Sequence, residues 1–289
     1  MLEKRHSSTS FGGVHTVQLP KALEATYAID KLMLRPFGID ERDLSVDFSQ
    51  PSRPALVTDI LECCTSVTNE KSPDRNLLWQ LKVSTRIECL LRIISLGGAF
   101  DAALPMRCRN EVCGETVEVE LSLDDFLGLQ RDPDDFISVD CGEHTFELRK
   151  PSGLDQRGWA SKEFESERAA IESMVQTLIV REDDSPGEGD LLTLADDTLS
   201  AIDRVMQESD SLVNFSFEVV CPYCESNSEF ELDLESLSIE RLRHVQRGLL
   251  TTIHRLAKHY HWSEQEIFAV PHWRRIHYLR LLEEEQERR

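Results

Sequence analysis

The chain has 289 residues, with 32 Lys+Arg against 53 Asp+Glu, a net charge of −21, and 40% hydrophobic residues. That apolar content supports a packed core and excludes wholesale disorder, and the length fits one large domain or two small ones. No apolar run reaches the ~18 residues of a membrane span, and the acidic balance argues against binding nucleic acid or anionic lipid, both of which need a positive surface.

Residues 1–20 hold Ser7-Ser8-Thr9-Ser10 and Gly12-Gly13 and read as a flexible arm. They lack the apolar stretch of a secretory signal, so a reducing compartment is expected, in which the 8 Cys form no structural disulfides. Residues 21–104 read as an N-terminal helical part. Leu23, Tyr27, Ile29, Leu32 and Leu34 predict a helix over 21–35. Residues 36–53 are broken by Pro36, Gly38 and Pro51. Leu56, Ile60 and Leu61 predict a helix over 54–70, and Leu78, Leu81, Ile87, Leu90, Leu91 and Ile94 a stronger one over 75–97.

At Pro105 the pattern changes. Residues 105–153 read as a first cysteine pair, a β-ribbon and a hairpin. Val117, Val119, Leu121 and Leu123 alternate with Glu118, Glu120 and Ser122, as in a half-buried strand. A strand pair, 136–140 and 145–149, flanks a Cys141-Gly142 turn. Residues 154–210 form a helical middle. One helix is predicted over about 155–181 and a short one around 195–208, with an acidic loop at 182–190 between them. Asp155 reads as a helix-start residue.

Residues 211–289 read as a second cysteine pair and β-ribbon (214–234) followed by basic helices. Ile239, Leu242, Val245, Leu249, Ile253, Leu256 and Tyr260 fall on one helical face. Ser263 and Glu266 form a capping box, Pro271 suits a first helical turn, and Trp273, Ile276, Leu279 and Leu282 predict a buried stripe. Trp262 and Trp273 are expected to pack the last two helices together. Residues 241–280 hold eight Lys/Arg and two acids, a net +6 that leaves −27 for the rest, and six of the nine His.

The two ribbons repeat at an offset of 111 residues: Cys113 matches Cys224, Glu118 matches Glu229, Leu121 matches Leu232 and Leu123 matches Leu234. Cys108 precedes Cys113 with four residues between them, and Cys221 precedes Cys224 with two. Two such knuckles, each leading a strand, supply the four thiolates that tetrahedral Zn2+ takes. The expected metal ligands are therefore Cys108, Cys113, Cys221 and Cys224, on one shared ion. Two ions, with Cys141 as an extra ligand, and buried inert thiols are the alternatives. Cys221-Pro-Tyr-Cys224 is also the tetrapeptide of a glutaredoxin, where the first Cys opens a helix. Here the following residues alternate as a strand, in acidic surroundings.

Cys63, Cys64 and Cys89 fall on predicted helices and read as core. No Gly-rich phosphate loop, HExxH or GxSxG motif is present and no nucleophile is set beside a base, so no enzyme activity is expected. The acids at 124–125 and 132–135 read as solvated turns. His254, His259, His261, His272 and His277 lack a recognised metal spacing and read as solvent-facing companions of the basic stripe. The fold class expected is α+β: mainly helical, with two zinc-ribbon-like β sections related by an internal repeat, and a helical C-terminal part.

Three stretches, FELRKPSGLDQ (146–156), CPYCESNSEFELDL (221–234) and IHRLAKHYHWSEQEIFAVPHWRRIHYLRLL (253–282), resemble the zinc-ribbon baseplate proteins of contractile injection systems and contractile phages, which are similar to the T-even baseplate hub proteins. The family's basic-apolar-Pro-Thr-Gly-x-Asp turn matches at Arg149, Lys150, Pro151, Ser152, Gly153 and Asp155, with Ser for Thr. Its ending matches at Trp262, Ser263, Glu266, Ile267, Arg274, Arg275, Tyr278 and Leu279. The resemblance covers about 75–285; residues 1–50 have no counterpart in it. The family's first knuckle is usually CxxC, so the four-residue spacing here implies a different loop geometry at Cys108. The resemblance implies a non-enzymatic zinc-binding structural or assembly component of a baseplate or hub. Its partners would be other baseplate, hub or tail proteins, and its place the bacterial cytoplasm during assembly or the assembled particle. The alternative is a zinc-ribbon nucleic-acid-binding or regulatory protein that uses the basic helices.

Overall fold

The computed structural model describes residues 15–67, 71–98, 102–122, 126, 129, 136–141, 144–180 and 194–288. The acidic loop at 182–190, the acids at 124–125 and 132–135, and Gly142 lie outside the described residues. The fold is α+β and mainly helical, with small antiparallel sheets. The chain divides into two compact units: one takes its described residues from 1–73, 90–100 and 238–289, the other from 74–89 and 101–237. The division differs from the segment boundaries expected from sequence because each unit gathers distant stretches of chain.

In the first unit, β1 (His15–Gln18), β2 (Lys31–Leu34) and β3 (Thr65–Ser66) form an antiparallel sheet in the order β1-β2-β3. Two expectations are corrected here. The arm expected over 1–20 contributes a paired strand from His15, with Val17 opposite Leu32. The helix expected over 21–35 is only α1 (Lys21–Tyr27), which ends at Ala28 in the left-handed region. Beyond it, Lys31-Leu32-Met33-Leu34 buries every second residue, the period of a strand.

A 3-10 helix (Glu41–Ser45) and α2 (Arg53–Cys64) follow. Asp43, in the 3-10 helix, is wholly buried. It accepts two bonds from Arg35 and one from each backbone N–H of Gly38, Ile39 and Asp40. Gly38 has φ 91°, and a side chain there would meet Val245.

The helix expected over 75–97 is two helices, α3 (Arg75–Gln80) and α4 (Val83–Leu96). The break is tertiary: Lys82 bridges Ser152, Val83 N–H donates to Pro151 O, and Gly153 N–H donates to Leu81 O.

In the second unit, β4 (Ala102–Arg107) pairs with β5 (Thr116–Leu121), and β6 (Phe136–Cys141) with β7 (His144–Arg149). The single helix expected over 155–181 is also two, α5 (Gly153–Ala160) and α6 (Glu167–Leu178), because Ser166 caps a new start by accepting from Ala169 N–H. With α7 (Asp196–Ser209) these helices bury one face of the β6–β7 hairpin through Ile137, Val139, Leu148, Val175, Leu178 and Ile202. The second ribbon pairs β8 (Ser216–Val220) with β9 (Asn227–Glu231).

Helix α8 (Leu234–Tyr260) leaves this unit and runs on into the first. There it packs with α9 (Glu264–Ala269) and α10 (His272–Glu287) through Leu249, Ile253, Leu256, Ile267 and Leu282. The Ser263–Glu266 capping box forms as expected. Pro271 caps α10 from the residue before its first turn. Trp262 stacks on Tyr260 and meets Tyr278 edge-on, but Trp273 is 64% exposed, a correction to the expected stripe. Its place inside is taken by Arg275, buried over the Phe268 ring and donating to Ile39 O.

Candidate metal centre

The two ribbons present their hairpin ends in the same way. Arg107 pairs with Thr116 in the first, and Val220 with Asn227 in the second. The next residue is a cysteine in both, and its N–H closes the loop: Cys108 donates to Glu115 O at 2.8 Å and Cys221 to Ser226 O at 3.0 Å. The second cysteine is followed by a left-handed residue in both, Gly114 with φ 59° and Glu225 with φ 57°. Beyond that turn the Glu115 N–H meets the Cys113 sulfur and the Ser226 N–H the Cys224 sulfur, the second of its own knuckle in each case.

All four expected ligands meet. The sulfurs of Cys108, Cys113, Cys221 and Cys224 lie within 4.8 Å of one another. Cys108 Sγ stands 3.7 Å from Cys224 Sγ, and Cys113 Sγ 3.8 Å from Cys221 Sγ. A tetrahedron of thiolates at ~2.3 Å from its centre has edges of about 3.8 Å, whereas a disulfide bond is ~2.05 Å long. The spacing excludes a disulfide and is compatible with ligands around one ion. The donor set is soft and closed, with one ligand pair from each ribbon.

The extra two residues of the first knuckle are accommodated by Asn110. Its carbonyl accepts from Cys113 N–H and Gly114 N–H, as the Cys221 carbonyl accepts from Glu225 N–H. Its side-chain Oδ1 takes Val112 N–H at 3.1 Å, and its Nδ2 points to Cys224 Sγ at 3.7 Å. Ser226 Oγ lies 3.0 Å from Cys224 Sγ and 3.4 Å from Cys108 Sγ. Such partners orient ligands and offset their charge. Sequence reasoning missed both residues, though the signal was there: the 111-residue offset sets Asn110 against Cys221.

Protonation follows these contacts. Chiefly the Ser226 hydroxyl and N–H, against some burial, bring the Cys224 thiol down to about 6. The Glu115 N–H pulls the Cys113 thiol down, but burial and the three other thiols outweigh it and push it up to about 12. The cluster thus favours negative charge on Cys224 and a proton on Cys113, and a divalent cation would displace that proton.

Beneath the sulfurs the ribbons pack closely. Met106, Val117, Val219 and Phe230 line a void of about 10 Å³, at the lower limit of what holds a water. Phe126, Phe215, Phe217 and Phe230 run as a chain of ring contacts from 4.9 to 6.1 Å, and the Arg109 guanidinium lies 5.0 Å over Phe230.

The remaining candidates fall elsewhere. Cys141 ends β6 and packs against the β6–β7 core. Cys64 and Cys89 are buried, and burial raises the Cys64 thiol; Cys63 is half-buried, 3.5 Å from Arg42 O. Among the described residues, His254, His259, His261, His272 and His277 join no ligand cluster. Cys221 lies between two strands and does not open a helix. No helix among the described residues is long and apolar enough to cross a membrane.

The Arg149–Asp155 turn is built for support. Asp155 accepts from both Arg149 terminal nitrogens, at 2.6 and 2.7 Å, and from Ser152 N–H and hydroxyl. Burial alone would raise the Asp155 carboxyl, but these partners hold it below the usual carboxylate range. Gly153 is needed because a side-chain carbon there would stand 2.7 Å from Arg86 Cζ. Arg86 in turn is wholly buried, donates to Leu78 O, and shares the Trp79 ring with Arg157.

Comparison of the chain with family models, with curated proteins and with solved structures finds no match.

Proposed function

We propose that the chain is a zinc-binding, non-enzymatic structural or assembly component of the baseplate or hub of a contractile phage tail or injection system. The observation that carries the metal part is the sulfur geometry: four thiols from two ribbons within 4.8 Å of one another, with Cys108–Cys224 and Cys113–Cys221 at the edge length of a thiolate tetrahedron. Closed four-sulfur sites of this kind favour zinc and leave no open position for chemistry. The baseplate part is supported by the resemblance of 146–156, 221–234 and 253–282 to that family. The work of the shared residues agrees with a scaffold: Arg149, Gly153 and Asp155 fasten a turn, and Ser263 and Glu266 cap a helix.

One observation favours the second reading, a nucleic-acid-binding zinc ribbon. Helix α8 turns His244, Arg247, His254 and Lys258 outward at helical spacing. The deciding experiment is affinity purification from a host producing the whole particle, with metal analysis of the product. The proposal expects one zinc per chain and co-purifying baseplate proteins. Recovery of nucleic acid with transcription or ribosomal proteins in their place would overturn the baseplate role.

A further inference from the structure

Helix α10 carries its charge in two blocks. Arg274, Arg275 and Arg280, with His272 and His277, occupy its first part; Glu283, Glu284, Glu285 and Glu287 occupy its last. Arg275 is turned inward and used up in burial. The exposed side carries Trp273, His277, Arg280, Leu281 and Glu284, three or four residues apart and therefore on one stripe. Trp273 is 64% and Leu281 49% exposed. An exposed tryptophan flanked by arginine has the composition of an interface anchor. The Trp273 ring meets only the edge of His277 one turn on, with centroids 6.4 Å apart, among the ring contacts of the described residues.

The stripe is self-complementary in one orientation. A parallel copy sets basic block on basic block. An antiparallel copy, related by a two-fold axis crossing the helix near its middle, sets Arg274 against the partner's acidic block and brings the apolar positions into one seam. Within the chain Glu283 is bonded to Arg255, and Glu284 stands 3.8 Å from Arg288 in an exposed pair of little strength. Glu285 and Glu287 are exposed and add to the block. We infer that the outer face of α10 is an interaction surface whose occupant is a second copy of the same chain, packed antiparallel. The inference is independent of the baseplate reading.

The test is sedimentation of the full, metal-loaded chain over a concentration series. The expected result is passage from one-chain to two-chain mass, weakened at least ~tenfold by joint Trp273→Ala and Leu281→Ala substitution. Two charge variants give the orientation. Arg274→Glu with Arg280→Glu, and Glu284→Lys with Glu285→Lys and Glu287→Lys, should each be single chains alone and associate when mixed. All substituted positions are exposed, and circular dichroism checks that the fold is kept. One-chain mass at every concentration overturns the inference, as does a dimer indifferent to these substitutions or a pair of charge variants that fails to associate.

Discussion

Cys108 and Cys224 hold their sulfurs 3.7 Å apart although 116 positions separate them in the chain. The closeness is produced by two hairpins whose last strand pairs and loop-closing bonds correspond one to one. Each hairpin alone provides two thiolates and a two-stranded sheet, and a two-stranded sheet is marginal in water. A metal held by both pairs would tie the two sheets together.

Replacing Cys224 by Ser should therefore remove the metal and loosen both ribbons. Structural zinc in small domains is worth on the order of 10–16 kcal/mol of apparent binding energy, so a loss of several kcal/mol is expected. Atomic emission should fall from one zinc per chain to well below one, with a lowered melting temperature. Cys141→Ser, outside the cluster, should keep full zinc; loss of metal from that variant would refute the ligand assignment.

Glu225 occupies a left-handed position that Gly114 fills in the other knuckle. A side chain in that region costs roughly 1 kcal/mol. Glu225→Gly should accordingly stabilise the protein by about 0.5–1 kcal/mol with zinc content unchanged, and Gly114→Ala should destabilise it by a similar amount. Urea midpoints of the two variants, moving in opposite directions, provide the check.

Gly153→Ala should cost about 2–3 kcal/mol, because the new methyl group overlaps a buried guanidinium that packing holds in place. Shortening Arg86 should relieve the overlap. Arg86→Met destabilises by itself, yet the double variant should be more stable than the sum of the two losses. Additive losses in a double-mutant cycle would show that the close approach is not the cause.

The Arg149–Asp155 pair gives stability a pH dependence. The folded Asp155 carboxyl is held below its unfolded value of ~3.9, so its contribution is present in full above about pH 4 to 5 and fades as pH falls through the lower folded value. Asp155→Asn should cost about 2 kcal/mol at neutral pH, discounted for the half-exposed Arg149, and the gap to the parent should narrow in acid. A gap that stays constant from neutral pH to pH 3 would count against the pair.

The ribbons and the quartet were legible because alternation and cysteine spacing are local signals, and the repeat doubled each of them. The C-terminal helices were legible through their apolar period and the Ser263–Glu266 cap. What the sequence hid was decided by distant partners. Helix 75–97 reads as continuous, but Ser152 pairs with Lys82 and opens it. Residues His15–Gln18 look like an arm until Lys31–Leu34 lies beside them. On α10, composition favours burying Trp273 over Arg275; the guanidinium goes inside because Phe268 and Ile39 O receive it there.

The position of the quartet also fixes how tension travels through the chain. With an ion bound, a pull applied before Cys108 and after Cys224 passes from ribbon to ribbon across metal–sulfur bonds. The β6–β7 hairpin and helices α5, α6 and α7 lie in the closed loop between them, tied to the chain ahead of Cys108 by the bonds of Leu81, Lys82 and Val83 to Pro151, Ser152 and Gly153. Such an ion would act as a mechanical shunt through two metal–sulfur bonds, in parallel with those backbone bonds, across a loop of more than a hundred residues.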